Sequence, residues 1–221
     1  MRPAPNAMAC HEDRAIHLYD RLAPTYDRLH QRWLRFSGGE AQAALEAAIR
    51  VEIRPHSQLL DVGCGTGRFA RRLISEGVSP EQITLLDPSQ AMLSRCADLA
   101  VEKTCGRLET LPFPNASFDI VTCAWAIETL PERYNAVDEL ARVLRPGGLL
   151  CLTFCAQKPP HSFADWVMQR RLASRGTGRF LDIDSIQDAV ASAMPCDTWI
   201  LPCAGTAATL IARRHQTSRV A

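Results

Sequence analysis

Apolar and polar positions follow two alternating periods along the middle of the chain. Short, largely apolar runs such as 59–62 and 83–86 are followed by segments whose apolar residues recur every three to four positions. These are the spacings of buried strands and amphipathic helices. The predicted elements are strand 58–62, helix 67–76, strand 82–87, helix 89–99, strands 101–105 and 118–124, helix 132–144 and strand 148–154. Strands alternating with helices predict a doubly wound, mostly parallel α/β sheet.

Helices are also predicted ahead of this alternating region. Residues 14–36 have helical spacing with a break near Pro24, and residues 40–50 are rich in strong helix formers. We expect residues 1–13 to be disordered or loosely attached. The first 50 residues are therefore expected to form a helical lid segment.

The C-terminal part predicts one more helix and a closing hairpin. Residues 183–193 have helical spacing, while 197–203 and 207–213 read as two strands separated by Gly205. A length of 221 residues favours a single domain, covering 1–221, with enough chain for a substantial core.

Charge and hydropathy exclude several classes of protein. The formal net charge is +1, so no overall field points to nucleic acid or to a membrane surface. No apolar run approaches transmembrane length, and the N-terminal residues lack the apolar core of a signal peptide. We therefore expect a cytoplasmic protein.

Nine cysteines stand at irregular spacings, with no C-x-x-C pair to indicate a zinc or redox site. Cys105, Cys123 and Cys151 fall in predicted strands, where free cysteine acts as a small buried hydrophobe. The alternative is a soft-metal site at Cys151 and Cys155. We favour core packing and predict no metal.

The stretch Asp61–Gly67 carries the most specific chemistry. Its glycines recur at every second position after a predicted strand, and glycine lets a ligand lie close against the main chain. Asp87 ends the next strand 20 residues after Gly67, the place of a ribose-binding acid in nucleotide-binding folds. Asp87 is alternatively a helix N-cap. The third glycine comes one residue earlier than in the dinucleotide pattern, which favours an adenosine ligand without pyrophosphate.

Four segments in order resemble class I S-adenosylmethionine-dependent methyltransferases, in particular the ubiquinone/menaquinone C-methyltransferase-like, type 11 group. They are 61–67, 86–93, 111–121 and 140–148. The resemblance implies a Rossmann-like methyltransferase fold with six parallel strands and one antiparallel strand. It implies S-adenosylmethionine as cofactor, a cofactor-binding core at 55–155, and methyl transfer to a small-molecule acceptor by in-line displacement.

The same resemblance implies a set of cofactor contacts. They are Asp61, Gly63, Cys64, Gly65, Thr66, Gly67, Asp87, Pro88, Met92, Leu108 and Ala124. The loop backbone would cradle the methionine and ribose, and Asp87 would accept both ribose hydroxyls. Asp61 and the carbonyl of Ala124 would hold the amino group. Relatives usually carry an acid where this chain has Arg107, and arginine cannot accept a hydrogen bond. Adenine must therefore be recognised by Glu109, by the backbone near Leu108 or by stacking of Arg107.

The acceptor side leaves several interpretations open. Tyr19 and Tyr26 either line the site, as the resemblance implies, or pack in the core. Glu128 is either a general base or an orienting group for a cationic acceptor, or an exposed glutamate beside Trp125. His30 and His161 are expected at the surface. Relatives often place histidine or arginine at position 128, so no role transfers there.

Residues 157–180 form an insertion after the last core strand. Its basic and aromatic residues either make a lid over the acceptor, suited to an amphiphilic or anionic molecule or a membrane-surface lipid, or a short helix with its apolar face on the core. Peripheral membrane contact is compatible with the first interpretation.

The acceptor class stays open between a quinone precursor, an amine, an aminolipid head group and a thiol. No obvious base is visible, which favours nitrogen or sulfur acceptors. A nucleic-acid partner is disfavoured by the charge. A second hypothesis is a non-catalytic S-adenosylmethionine- or S-adenosylhomocysteine-binding regulatory or partner protein, and a nicotinamide-dependent oxidoreductase is the third.

Overall fold

The computed structural model describes residues 5–130, 133–175, 179–201 and 203–216. The helices are Pro5–Leu22 (α1), Tyr26–Trp33 (α2), Gly39–Glu52 (α3), Arg68–Ser75 (α4), Gln90–Ser94 (α5), Arg133–Val143 (α6), Phe163–Arg175 (α7) and Ile183–Ala193 (α8). The strands are Leu59–Val62 (β1), Ile83–Asp87 (β2), Glu102–Cys105 (β3), Phe118–Ala124 (β4), Leu144–Cys155 (β5), Cys196–Leu201 (β6) and Ala207–Arg214 (β7).

The seven strands form one sheet in the order β3-β2-β1-β4-β5-β7-β6. Strands β1 to β5 pair in parallel, and β7 is antiparallel to both β5 and β6. Strand β6 therefore runs in the direction of β1 to β5, which confirms six parallel strands and one antiparallel strand. The carboxyl ends of β1, β2 and β4 meet at one edge, where ligands of open α/β sheets bind.

Helices cover both faces of the sheet. Leu140 of α6 and Val190 of α8 belong to the apolar cluster on one face, while Leu45 of α3 and Leu73 of α4 belong to the cluster on the other. Burial on both faces explains why the central strands read as nearly continuous apolar runs instead of alternating ones.

The N-terminal segment differs from the sequence prediction. Helix α1 already begins at Pro5, so the expectation of disorder is wrong over residues 5–13, and residues 1–4 lie outside the described part of the chain. The predicted break is correct, because a turn at 23–25 separates α1 from α2. Helix α5 is shorter than predicted and gives way to turns after Ser94.

The insertion at 157–180 contains α7. One buried acid of this helix attaches it to the rest of the fold. Asp165 accepts hydrogen bonds from the hydroxyls of Ser37 and Thr206, the latter at 2.8 Å. Phe163 and Trp166 stack on each other and are 78% and 43% exposed. The interpretation that these two aromatic residues face the core is therefore wrong.

Across the described ranges, no helix has the length and apolar character required to cross a membrane.

Candidate active site

The loop after β1 is shaped by glycines in left-handed backbone conformations. Gly63 and Gly65 have φ angles of 70° and 55°, which residues with a Cβ adopt at a cost. A Cβ on Gly63 would lie 2.5 Å from the Cβ of Ala126, whereas one on Gly65 would meet only Tyr26, at 3.6 Å from its Cε1. The space beside Gly65 is therefore open to a ligand. A side chain at this position would occupy that space.

Asp87 joins the glycine loop to the loop after β2. Its Oδ2 accepts the Gly65 main-chain N–H at 2.8 Å and its Oδ1 accepts the Ser89 N–H at 2.9 Å. Ser89, and not Asp87, is the N-cap of α5, because the Ser89 hydroxyl accepts the Met92 N–H. A carboxylate oxygen has two acceptor sites, so each oxygen of Asp87 keeps one for a ligand hydroxyl.

A cleft of about 790 Å³ lies over these two loops. Six of the sequence-predicted cofactor residues line it: Gly63, Gly65, Asp87, Pro88, Met92 and Leu108. Arg107 and Glu109 line it as well, so both are placed where the adenine interpretation needs them. A mostly apolar cleft with a few polar groups is typical of a small-molecule site.

An adjoining cavity of about 530 Å³ is lined by four more of the predicted residues: Asp61, Cys64, Thr66 and Ala124. It shares Tyr26, Gly63, Gly65 and Trp125 with the cleft. Gly67 is at the start of α4, where a Cβ would lie 2.8 Å from the Cys96 Sγ. The structure thus brings ten of the eleven predicted residues to two connected cavities.

Two buried carboxyl groups make this region attractive to a cation. Burial, and then the neighbouring charge of Asp87, raises the pKa of Asp61 to about 7. Burial likewise raises the pKa of Asp87 to about 6, against the lowering effect of its two main-chain hydrogen bonds. A ligand with a sulfonium and an ammonium group would relieve this repulsion, so the residues present fit S-adenosylmethionine.

Helices α1 and α2 are hydrogen-bonded to both ligand loops. Asp20 accepts from the Ser89 hydroxyl at 2.5 Å, and Asp27 accepts from the Thr66 hydroxyl at 2.6 Å. These contacts hold the N-terminal helices over the cleft. The sequence analysis did not identify either aspartate, because each bonds to a loop at least 39 residues away.

A second chamber of about 780 Å³, which we call the aromatic chamber, lies behind the cleft. Its lining residues are Leu18, Tyr19, Leu22, Tyr26, Leu29, His30, Trp33, Trp125, Glu128, Thr129, Cys155, Arg179 and Phe180. Tyr19, Tyr26, Trp125 and Thr129 also line the cleft. Tyr19 and Tyr26, packed edge to face at 6.0 Å, therefore lie at the boundary of the two spaces, which favours the lining interpretation over core packing.

Glu128 is buried, at 5% exposure, so the interpretation as an exposed loop glutamate is wrong. It lies in the short turn Ile127–Thr129 that follows β4. Its Oε1 accepts the Cys155 N–H at 3.4 Å, and its buried Oε2 has no hydrogen-bond partner among the described residues. Burial raises the pKa of this carboxyl to about 7.

His30 and Trp33 are site residues that the sequence analysis missed. His30 is half-buried and stacks on Tyr26 at 5.5 Å, so it is less exposed than predicted, whereas His161 is exposed as expected. Burial and the nearby Arg68 lower the pKa of His30 to about 4. Tyr26, His30 and Trp33 are four and three residues apart and share one helix face, and this spacing is the signal that would have found them.

Trp125 lines all three cavities. Its φ of 61° is unusual for a bulky residue, and such conformations concentrate at functional sites. The indole N–H donates to Gln42 Oε1 at 2.7 Å, and the ring packs edge to face on Trp33 at 5.3 Å. These contacts hold the ring between the cavities.

The cysteines divide by their place in the sheet. Cys123 and Cys151 are buried as predicted, but Cys105 is exposed because β3 is an edge strand. Cys155 is buried with its main chain bonded to Glu128. Within the described ranges no group of three histidine, cysteine or acidic residues is arranged to hold a metal ion. The side chain of Cys10 lies outside the described part.

Comparison with known proteins agrees with this geometry. Residues 60–152 match the family described as methyltransferase domain. The ubiquinone/menaquinone biosynthesis C-methyltransferase UbiE of Methylobacterium nodulans is 37% identical over 154 residues, which cover 65% of this chain and 60% of that protein. A demethylmenaquinone methyltransferase of Listeria monocytogenes is 31% identical over 155 residues, covering 63% and 61%. The matches thus span about 60% of the length of these relatives.

Solved structures share the fold at low sequence identity. An S-adenosylmethionine-dependent methyltransferase of Thermotoga maritima superimposes with a TM-score of 0.68 at 20% identity, covering 90% of this chain and 99% of that one. One from Mesorhizobium loti gives 0.59 at 17% identity, covering 76% and 96%. With its strand order, its glycine loop and the match of residues 60–152 to a methyltransferase domain, this chain is similar to the class I S-adenosylmethionine-dependent methyltransferases.

Proposed function

We propose that this protein transfers a methyl group from S-adenosylmethionine to a small aromatic acceptor of the phenol or quinol type. The observation that carries the proposal is that the cleft over the glycine loop and the aromatic chamber share lining residues, among them Tyr19 and Tyr26. Two adjoining cavities would let a cofactor and an acceptor bind next to each other.

On the cofactor side, the residues that would hold the ligand are already arranged. Asp87 keeps an acceptor site on each oxygen for the ribose hydroxyls, and the glycine loop leaves open backbone beside it. Asp61 would face the positively charged end. When bound, the cofactor supplies an electrophilic methyl group on a sulfonium.

On the acceptor side, the chain provides a chamber lined mostly by aromatic and aliphatic side chains. Helices α1 and α2 close the chamber, and Trp33, Trp125 and Phe180 offer faces for a planar ring. Methyl transfer depends strongly on holding the two reactants in line. The names of the sequence relatives support a quinol-type acceptor, and the aromatic lining supports a planar one.

The first experiment is calorimetric titration with S-adenosylmethionine, S-adenosylhomocysteine and NADH. Binding of the first two but not of NADH, followed by release of S-adenosylhomocysteine with a panel of phenols and quinols, is the expected result. Binding without turnover on phenols, quinols, amines and thiols would favour the non-catalytic alternative. Absence of binding by folded protein would refute the proposal.

A further inference from the structure

The aromatic chamber contains one acidic side chain among its described lining residues, Glu128. The rest of the lining is aromatic or aliphatic apart from Thr129, His30, Cys155 and Arg179. A carboxylate is a costly group to bury without partners. A ligand that binds in this mostly apolar chamber is therefore expected to interact with the carboxyl group of Glu128.

The two oxygens of Glu128 have different surroundings. Oε1 is bonded to the Cys155 main chain at 3.4 Å, which orients the carboxyl group. Oε2 is buried and has no hydrogen-bond partner among the described residues. A buried acceptor left unsatisfied costs about 1–3 kcal/mol, which a bound molecule with an O–H donor would recover.

Among the titratable side chains that line the chamber, Glu128 is the carboxylic acid. Those that line the chamber with it are Tyr19, Tyr26, His30, Cys155 and Arg179, and the thiols of Cys123 and Cys155 lie close enough to interact with its carboxyl group. Burial raises the pKa of Tyr26 and of the Cys155 thiol, and burial with Arg68 lowers that of His30 to about 4. These three are uncharged near neutral pH. Arg179, which is exposed, donates its main-chain N–H to the Glu128 carbonyl at 3.1 Å.

We infer that Glu128 Oε2 receives the hydroxyl proton of a phenolic acceptor whose ring lies among Tyr26, Trp33 and Trp125. This inference rests on the proposed function and specifies its acceptor class. In the step, the acceptor O–H bond breaks, its electron pair stays on oxygen as phenolate, and the proton forms the carboxylic acid of Glu128. From the sequence, Glu128 is only one candidate base and no base is obvious, which favours nitrogen or sulfur acceptors; the buried carboxylate reverses that preference.

The protonation state of Glu128 suits this role. With a pKa raised to about 7 by burial, the carboxyl is a stronger base than an exposed glutamate and is still partly ionised at neutral pH.

The test is binding of 4-methylphenol and 4-methylanisole, measured by tryptophan fluorescence without cofactor between pH 6 and 8. The two probes have the same ring, but only the phenol donates a hydrogen bond. Trp33 and Trp125 line the chamber and report its occupancy. Wild-type protein should prefer the phenol about tenfold, as expected for a hydrogen bond to a charged acceptor. The preference should grow as pH rises through 7, because Glu128 ionises.

Glu128→Gln should reduce the preference to about threefold or less and remove its pH dependence. Glu102→Gln, on the exposed edge strand β3, is the matched control and should behave as wild type. Equal binding of the two probes by wild type, or an unchanged pH-dependent preference in E128Q, overturns the inference. Tighter binding of benzylammonium than of the phenol overturns it in favour of a cation site.

Calorimetry with S-adenosylhomocysteine on the same preparations separates this inference from the proposed function. Wild type that fails to bind S-adenosylhomocysteine refutes the proposed function. Wild type that binds it but does not discriminate the probes refutes only the role of Glu128. If E128Q does not fold, the wild-type pH profile with the two probes still decides.

Discussion

Asp87 offers the sharpest test of the cofactor site. Truncation to alanine removes both carboxylate oxygens that we expect to accept ribose hydroxyls. Hydrogen bonds to charged groups contribute about 1.5–3 kcal/mol each, so two of them correspond to about 3–6 kcal/mol. At about 1.4 kcal/mol per tenfold change, the affinity for S-adenosylhomocysteine should fall on the order of 100-fold to 10,000-fold.

The same substitution also disconnects the two loops. The Gly65 and Ser89 N–H groups each lose their acceptor, at 2.8 and 2.9 Å in the wild type. Asp87→Asn keeps the volume but turns an NH₂ group toward one of these donors. We therefore expect D87N to lower affinity less than D87A, by on the order of tenfold to 100-fold.

The assay is calorimetric titration with S-adenosylhomocysteine, with thermal unfolding of each unliganded variant to show that it folds. Asp197→Ala is the control, because Asp197 is 67% exposed in side chain on β6, at the opposite edge of the sheet from β3. D197A should bind within twofold of wild type. A folded D87A protein that binds within threefold of wild type would falsify the ribose assignment.

Three more predictions follow from the site and its support. Gly63→Ala should lower the free energy of unfolding by about 2–4 kcal/mol, because the added Cβ makes a close contact and the φ angle is positive. Gly65→Ala should lower the free energy of unfolding by only about 1–2 kcal/mol, but it should weaken cofactor binding. Urea unfolding and calorimetry check both variants, and the reverse order of stabilities would contradict the loop geometry. Asp165→Ala should destabilise by about 2–4 kcal/mol because two buried hydroxyls lose their acceptor, and an unchanged unfolding midpoint would count against this anchor. The affinity for S-adenosylmethionine should fall as the pH drops below about 7, because protonated Asp61 no longer attracts a cation. An affinity that stays constant in titrations from pH 5.5 to 8 would contradict this prediction.

Most of the sheet could be predicted from local pattern. Strands β1, β2 and β4 are short apolar runs next to glycines or acids, and their bounds differ from the prediction by at most one residue. Helix α8 was predicted at its observed bounds of Ile183–Ala193. The strands are predictable because burial on both faces favours consecutive apolar residues, and α8 is predictable because its apolar residues recur at helical spacing.

The acceptor side was less predictable because its residues meet only in the folded chain. Glu128 looked like an ordinary loop glutamate, and its burial depends on Cys155, which is 27 positions away. His30 looked like a surface residue, and its burial depends on the packing of α2 against Trp125. Helical spacing places His30 on the same face as Tyr26 and Trp33, but no local pattern shows what that face packs against.

By itself, the sequence determined the strand–helix alternation, the glycine loop and the acid that ends β2. Each of these depends on the conformational freedom or burial of consecutive residues. Only the tertiary structure decided that Asp87 joins two loops, that α1 and α2 close an aromatic chamber, and that Glu128 has an unpaired oxygen inside it. Those properties arise from side chains far apart in sequence, whose burial and electrostatics exist only once the elements have packed.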